Sequence, residues 1–156
     1  MPVAGQPSAS APALPDGYTI CADARRLDPG AIHAYLTRSY WSPGIPLDVV
    51  QRAIANSLCF GVYHGNEQVG FARVVTDRAT FAYLADVYIL EAHRGQGLSK
   101  RLMEAIMGHA DLQGLRKFLL ATRDAHALYA RFGFAPLANA ARMMEIRVDD
   151  PYRHKS

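Results

Sequence analysis

Cysteine is scarce in this chain, with Cys21 and Cys59 alone among 156 residues. Two thiols exclude a disulfide framework. Both stand among strand-like residues and are expected as buried free thiols in a reducing compartment. Long apolar runs are also missing, and nothing approaches the roughly 20 residues that a membrane-spanning helix requires. Residues 2–16 are rich in Ala, Pro and Ser but lack a basic start and an apolar core, which makes them a poor secretory signal. They are expected as a disordered tail, residues 1–16, on a cytoplasmic protein. Charge of one sign is in short supply: 17 Lys and Arg face 14 Asp and Glu, a net +3. Arg25-Arg26 and Arg116-Lys117 are clusters too small for a nucleic-acid surface and read as solvated. Neither a nucleic acid nor a membrane is an expected partner. The six histidines show no ligand spacing with the cysteines or acids, so no metal site is expected.

What remains is half hydrophobic and one fifth charged, the balance of an ordinary globular enzyme of one domain. That domain is expected over residues 17–150, with a short tail at 151–156. Tyr18 to Ala22 is a strand candidate. Asp28-Pro29 supplies an N-cap and first-turn pair for a helix to about Arg38. An aromatic loop with Tyr40 and Trp41, broken by Pro43, Gly44 and Pro46, leads to a second helix, Leu47 to Asn56. Leu58 to His64 and Gln68 to Thr76 read as a hairpin around Gly65-Asn66. A long strand, Thr80 to Leu90, precedes a helix from Leu98 to Ala110 and a strand from Lys117 to Ala121. That spacing implies parallel strands joined by a right-handed crossover. A short helix, about Asp124 to Phe132, ends at Gly133, a good C′ residue. Phe134 and Met143 to Val148 are read as final strands. The order is β-α-α-β-β-β-α-β-α-β-β, an α/β (α+β) fold with a mixed central sheet of six to seven strands and about four helices.

The richest stretch is His93-Arg94-Gly95-Gln96-Gly97-Leu98-Ser99-Lys100-Arg101 at the corner between the long strand and the third helix. Two glycines there allow positive φ and a close backbone approach to a ligand. Arg94, Lys100 and Arg101 crowd the positive end of the helix dipole, with no carboxylate before Glu104. An anion on the free N–H groups would turn that repulsion into attraction, so the corner reads as a pyrophosphate seat. A P-loop is excluded because its first glycine is missing and Ser99 precedes Lys100. A dinucleotide fingerprint fails because position 100 is Lys and the corner does not follow the first strand.

Arg94-x-x-Gly97-x-Ser99 after a long strand resembles the acetyl-coenzyme A signature of the GNAT N-acetyltransferase superfamily, with Ser where Gly or Ala is usual. Leu128-Tyr129-Ala130-Arg131-Phe132-Gly133-Phe134 resembles the family's Leu-Tyr-x-x-x-Gly-Phe segment at the usual distance downstream, and the likeness covers roughly Tyr18 to Val148. The resemblance implies an N-acetyltransferase that uses acetyl-coenzyme A as acyl donor. By position, Arg94, Gly95, Gln96, Gly97, Leu98, Ser99 and Lys100 would bind the pyrophosphate, and the main chain of Tyr88, Ile89 and Leu90 would hold the pantetheine arm. Tyr129 occupies the family's place for the acid that protonates the leaving thiolate, with packing on the core as the other reading. The segment between the first two helices carries acceptor specificity in this family. Tyr40, Trp41 and the neighbouring Tyr83 could therefore form an aromatic wall for the acceptor, or Trp41 could pin the loop.

Asp86 stands out by itself, because it interrupts the apolar strand Leu84-Ala85-Asp86-Val87-Tyr88-Ile89. A carboxylate there needs a task or a partner: base, anchor for the acceptor amine, or structural mate of Arg73. Glu91 and His93 at the strand exit are further base candidates against a surface reading. His126, one turn before Tyr129, could share its face or simply cap the helix. The expected reaction is direct transfer to a primary amine, of a small molecule such as a polyamine, an amino acid derivative or an aminated antibiotic. A protein or peptide amine is the alternative acceptor, and a non-catalytic acyl-coenzyme A sensor the alternative class. Acetylation of aminoacyl-tRNA would need a focused basic face, which the scattered charges do not supply. The chain is expected as a monomer or homodimer.

Overall fold

Alternating apolar residues and well-placed turn formers build five strands in one open sheet. The computed structural model describes residues 14–153. Most of the expected tail over residues 1–16 thus lies outside the described residues, although Leu14 packs against the core. The strands are β1 (Tyr18–Cys21), β2 (Leu58–His64), β3 (Glu67–Thr76), β4 (Phe81–Ile89) and β5 (Lys117–Leu120). They lie in sequence order, antiparallel from β1 to β4 and parallel between β4 and β5. The helices are α1 (Pro29–Leu36), α2 (Leu47–Ala55), α3 (Leu98–Met107) and α4 (His126–Ala130).

Local chemistry explains most boundaries. The Asp28 carboxylate accepts the Ala31 N–H at 3.0 Å and Pro29 opens α1, the arrangement its sequence calls for. The β3–β4 turn is held by Asp77, which accepts the N–H groups of Ala79, Thr80 and Phe81. Those bonds, with one from the Thr80 hydroxyl, hold its carboxyl well below the usual carboxylate range.

The core has two parts, one on each face of the sheet. Leu98, Leu102, Met103 and Ile106 recur at helical spacing along α3 and are buried against Phe60, Val62, Val74 and Leu84; Tyr129 of α4 joins this cluster. On the opposite face α1 and α2 bury Ile32, Leu36 and Val50 against Cys59, Phe71 and Tyr88. Both cysteines are free thiols; Cys59 is buried, whereas Cys21 is only partly so.

The strand count needs correction. Phe134 and Met143–Val148 form no strands among the described residues, so the sheet has five members rather than six or seven. A strand needs a neighbour to take its backbone hydrogen bonds, and residues 143–148 run free of the sheet, with Met144 96% and Ile146 100% exposed. The α4 helix is also shorter than expected. Thr122 Oγ1 accepts the Ala125 N–H just before it, and the chain turns out at Gly133, with φ of 92°.

Candidate active site

Two irregularities in β4 open the site. The first is a bulge. Arg73 of β3 faces Ala85, while Phe71 faces Tyr88, so β4 spends three steps where β3 spends two. The extra residue includes Asp86, whose φ of 56° lies in the left-handed region. For a non-glycine residue that conformation costs on the order of 1 kcal/mol or more. Bulges re-aim side chains, and this one brings the Asp86 carboxylate to two donors. Arg73 Nε donates to Oδ2 at 2.8 Å and Trp41 Nε1 donates to Oδ1 at 2.9 Å. The Arg73–Asp86 pair is mostly shielded, with side chains 20% and 12% exposed.

The second irregularity is a fork. β5 pairs with β4 from Phe81 to Leu84 and stops, so among the described residues no strand lies beside the β5-side edge of β4 from Ala85 to Ile89. A cleft of about 680 Å³ opens at this fork. It lies between the α1–α2 connection, β4 and the β5–α4 connection, and it is lined by Tyr40, Trp41, Arg73, Tyr83, Asp86 and Tyr129. Five of those six are the expected catalytic and acceptor-wall residues, gathered from three separate segments.

Tyr129 reaches the cleft from α4 while its ring packs in the first core cluster. Burial pushes its phenol pKa above the ordinary value of 10.0, with a smaller push from Tyr40. Trp41 holds the loop and lines the cleft. Its indole pins the loop to Asp86, and its ring sits 6.2 Å from Tyr35 and 5.1 Å from Tyr40 on the cleft wall. The guanidinium of Arg123 lies 3.9 Å from the centroid of the Tyr40 ring.

At the corner, Gly95 and Gly97 have φ of 83° and 78°, and a Cβ at either would meet no atom within 4 Å. The first turn of α3 receives no side-chain cap, which leaves its N–H groups pointing outward. Leu98 contributes backbone only, because its side chain is buried in the core. Gln96 Nε2 donates to the Tyr18 hydroxyl at 3.0 Å. Arg94 turns away from the corner: its Nε donates to the Ile89 carbonyl at 2.8 Å and its Nη2 to the Tyr35 hydroxyl at 3.0 Å. Ser99 and Lys100 stand in the open first turn, whereas Arg101 pairs with Glu104 at 2.6 Å.

The expected pantetheine rail, Tyr88 to Leu90, is partly occupied. Arg94 takes the Ile89 carbonyl, and the Leu90 N–H donates to the Val69 carbonyl at 2.8 Å. The Tyr88 side chain is buried and stacked on Tyr35, ring centroids 3.9 Å apart, so this residue offers only its main chain. The alternative bases are committed elsewhere. Arg38 grips Glu91 through two hydrogen bonds, 2.8 and 3.2 Å, which lower its pKa to about 2. The Tyr18 hydroxyl and His93 Nδ1 share a hydrogen bond of 2.6 Å. His126, the first residue of α4, is exposed while Tyr129 is buried.

Residues 24–134 match the sequence profile of the Acetyltransferase (GNAT) family. The chain belongs to that family. A protein of Gibberella zeae provisionally named an acetyltransferase is 34% identical over 137 residues, spanning 73% of this chain and 76% of the relative. A solved structure from Xanthomonas campestris pv. campestris, provisionally assigned as a GNAT acetyltransferase, is 51% identical. It covers 91% of this chain and 100% of its own, with a TM-score of 0.88. An acetyltransferase assigned in Clostridium acetobutylicum and solved with acetyl-coenzyme A shares the fold alone, at 15% identity and TM-score 0.60 over 83% of this chain and 94% of that one.

Two residues of this GNAT cleft carry no signal in sequence. Arg123 follows β5 as one of many scattered cations. Tyr152 falls in the expected tail, yet it lines the cleft and packs beside Gly44 in the second core cluster. Among the described residues no helix is long and apolar enough to cross a membrane.

Proposed function

We propose that this GNAT protein transfers an acetyl group from acetyl-coenzyme A to the primary amine of a small molecule, by direct attack while both are bound. One observation carries the reading: Tyr129 and Asp86 line the same cleft at the fork where β4 loses its neighbour.

The residues present fit the coenzyme. Open space beside Gly95 and Gly97 and the uncapped start of α3 suit a pyrophosphate. The unpaired edge of β4 suits the amide-bearing arm, which can be held like an added strand. When bound, the coenzyme supplies the acetyl thioester. The chain supplies the rest. A main-chain N–H on the open edge of β4 polarises the acyl carbonyl as an oxyanion donor does. Tyr129 gives its proton to the departing thiolate; a thiol of pKa about 8.5 takes a proton at neutral pH, and the phenol is protonated there. Asp86 orients the amine. Each of its oxygens already accepts one bond, which leaves lone pairs free to receive an ammonium N–H. An amine with pKa near about 10.4 must shed a proton before attack, and water in the open cleft is the acceptor. Tyr40, Trp41 and Tyr83 form the wall against which the acceptor rests.

Coenzyme A release measured across a panel of polyamines, amino acid derivatives, aminated antibiotics and short peptides tests the proposal. Turnover with a small amine supports it. Turnover with peptides alone moves the acceptor class to proteins, and tight coenzyme binding without any turnover makes the protein a sensor.

A further inference from the structure

Strand alternation puts four positions of β1 and β2 on one face at the edge of the sheet. In the antiparallel register Thr19 faces Tyr63 and Cys21 faces Gly61. The Tyr63 side chain runs back along its own strand, and its hydroxyl fills the space where a Cβ on Gly61 would stand. Cβ positions of directly opposed residues lie about 4.5–5.5 Å apart, so the hydroxyl is aimed at the side-chain position of Cys21. Tyr63 is only 2% exposed, yet its hydroxyl makes no hydrogen bond among the described residues. Buried hydroxyls ordinarily have a partner.

Arg26 roofs the same group. Its guanidinium carbon lies 4.1 Å from the centroid of the Tyr63 ring, and its Nη1 reaches Cys21 Sγ at 3.7 Å and Thr19 Oγ1 at 3.5 Å. Among the described residues Arg26 forms no ion pair, since nearby Asp23 is held by Arg25. Cys21 is partly exposed, whereas Cys59 is buried. A solvent-accessible thiol, a cation without a counterion and a hydroxyl without an acceptor thus converge on one point. An anionic oxygen bonded to the sulfur suits all three.

We propose that Cys21 is a site of reversible oxidation, where a hydroperoxide converts the thiol to a sulfenate held by Arg26 and Tyr63. The thiolate sulfur attacks the terminal peroxide oxygen. An S–O bond forms and the O–O bond breaks, sulfur giving up the two electrons that the peroxide gains. The second oxygen leaves as water or an alcohol with the proton the thiol gave up, and the proton on the transferred oxygen passes to solvent. Arg26 then donates to the new oxygen with opposite charge, and the Tyr63 hydroxyl gains its acceptor. Both bonds draw charge from the sulfenate and slow its attack on a second peroxide, the step to irreversible sulfinate. A small thiol displaces the oxygen as water, and a second thiol releases Cys21 from the mixed disulfide. None of these residues lines the cleft, so the inference does not rest on the proposed acetyl transfer.

The reduced full chain is treated with equimolar hydrogen peroxide, trapped with dimedone and read by peptide mass. The Cys21 peptide should carry the dimedone adduct and the Cys59 peptide none, and dithiothreitol added before the trap should return Cys21 to the thiol. Tyr63→Phe keeps the ring and removes the hydroxyl. The melting temperature of its reduced form should be unchanged or higher, because no hydrogen bond is lost. Under excess peroxide its ratio of sulfinate to sulfenate at Cys21 should rise about tenfold, the worth of one hydrogen bond to a charged group. Arg26→Gln, at an exposed position, should raise that ratio as well. No adduct at Cys21, a disulfide between Cys21 and Cys59, an unchanged ratio in either variant, or a lower melting temperature for reduced Tyr63→Phe would overturn the proposal.

Discussion

Burial raises the Tyr129 pKa above its ordinary value, so the phenol is protonated at neutral pH, as the proposed acid must be. Replacing Tyr129 with Phe keeps the packing and removes the proton. Turnover should fall about 10²- to 10⁴-fold, the usual worth of general acid catalysis, while coenzyme affinity by calorimetry stays within a few-fold. An unchanged rate would remove Tyr129 as the acid. The raised pKa also sets the sign of the alkaline limb. Loss of turnover through Tyr129 ionisation should appear only above pH 10.0, the ordinary value, in a pH–rate profile. Asp86 holds Arg73 and Trp41 and, in the proposed reaction, also orients the amine. Asp86→Asn still accepts the Trp41 bond but leaves Arg73 without its counterion in a shielded place, so stability to urea should drop by about 3 kcal/mol. The acceptor KM should rise as well; a stable variant with normal kinetics would make the carboxylate dispensable. Cys59 belongs to the same scale. Burial pushes its thiol up to about 12, so alkylation of the native protein at neutral pH should be confined to Cys21, read out by peptide mass.

The decisive elements are β4 and the corner that follows it. Gly97 has φ of 78° with open space where a Cβ would stand. Gly97→Ala therefore meets no clash, and its cost is the left-handed backbone, roughly 1 kcal/mol. If α3 shifts its start to relieve that strain, coenzyme affinity falls tenfold or more while the melting temperature moves only a few degrees; intact affinity would show that the corner tolerates a side chain. Most of this scale was legible. The Asp28-Pro29 start of α1, the hairpin at Gly65 and the apolar stripe of α3 are local signals, and each lies where its residues place it. The bulge at Asp86 was not legible as a bulge. An odd carboxylate in an apolar strand signals only that something compensates it, and the register that brings it to Arg73 depends on β3.

At the scale of the whole molecule, ligand binding should report on folding by mass action. Acetyl-coenzyme A at a hundred times its dissociation constant should add about 2.7 kcal/mol to the stability of the native state, seen as a rise in melting temperature that saturates logarithmically. No shift would mean that the corner and the open edge of β4 do not hold the coenzyme. The sequence by itself determined the family, the crossover β4–α3–β5 and five of the residues that line the cleft. These rest on short-range patterns, such as glycine spacing, helical periodicity and an aromatic seven-residue segment, that survive in one dimension. Tertiary structure alone decided which groups stay available. It turned Arg94 back onto Ile89, tied Glu91 to Arg38, brought Tyr152 into the cleft and left residues 143–148 outside the sheet. Each outcome is a competition among partners far apart in the chain, and a hydrogen-bond donor or an apolar face finds its partner only when folding brings the candidates together.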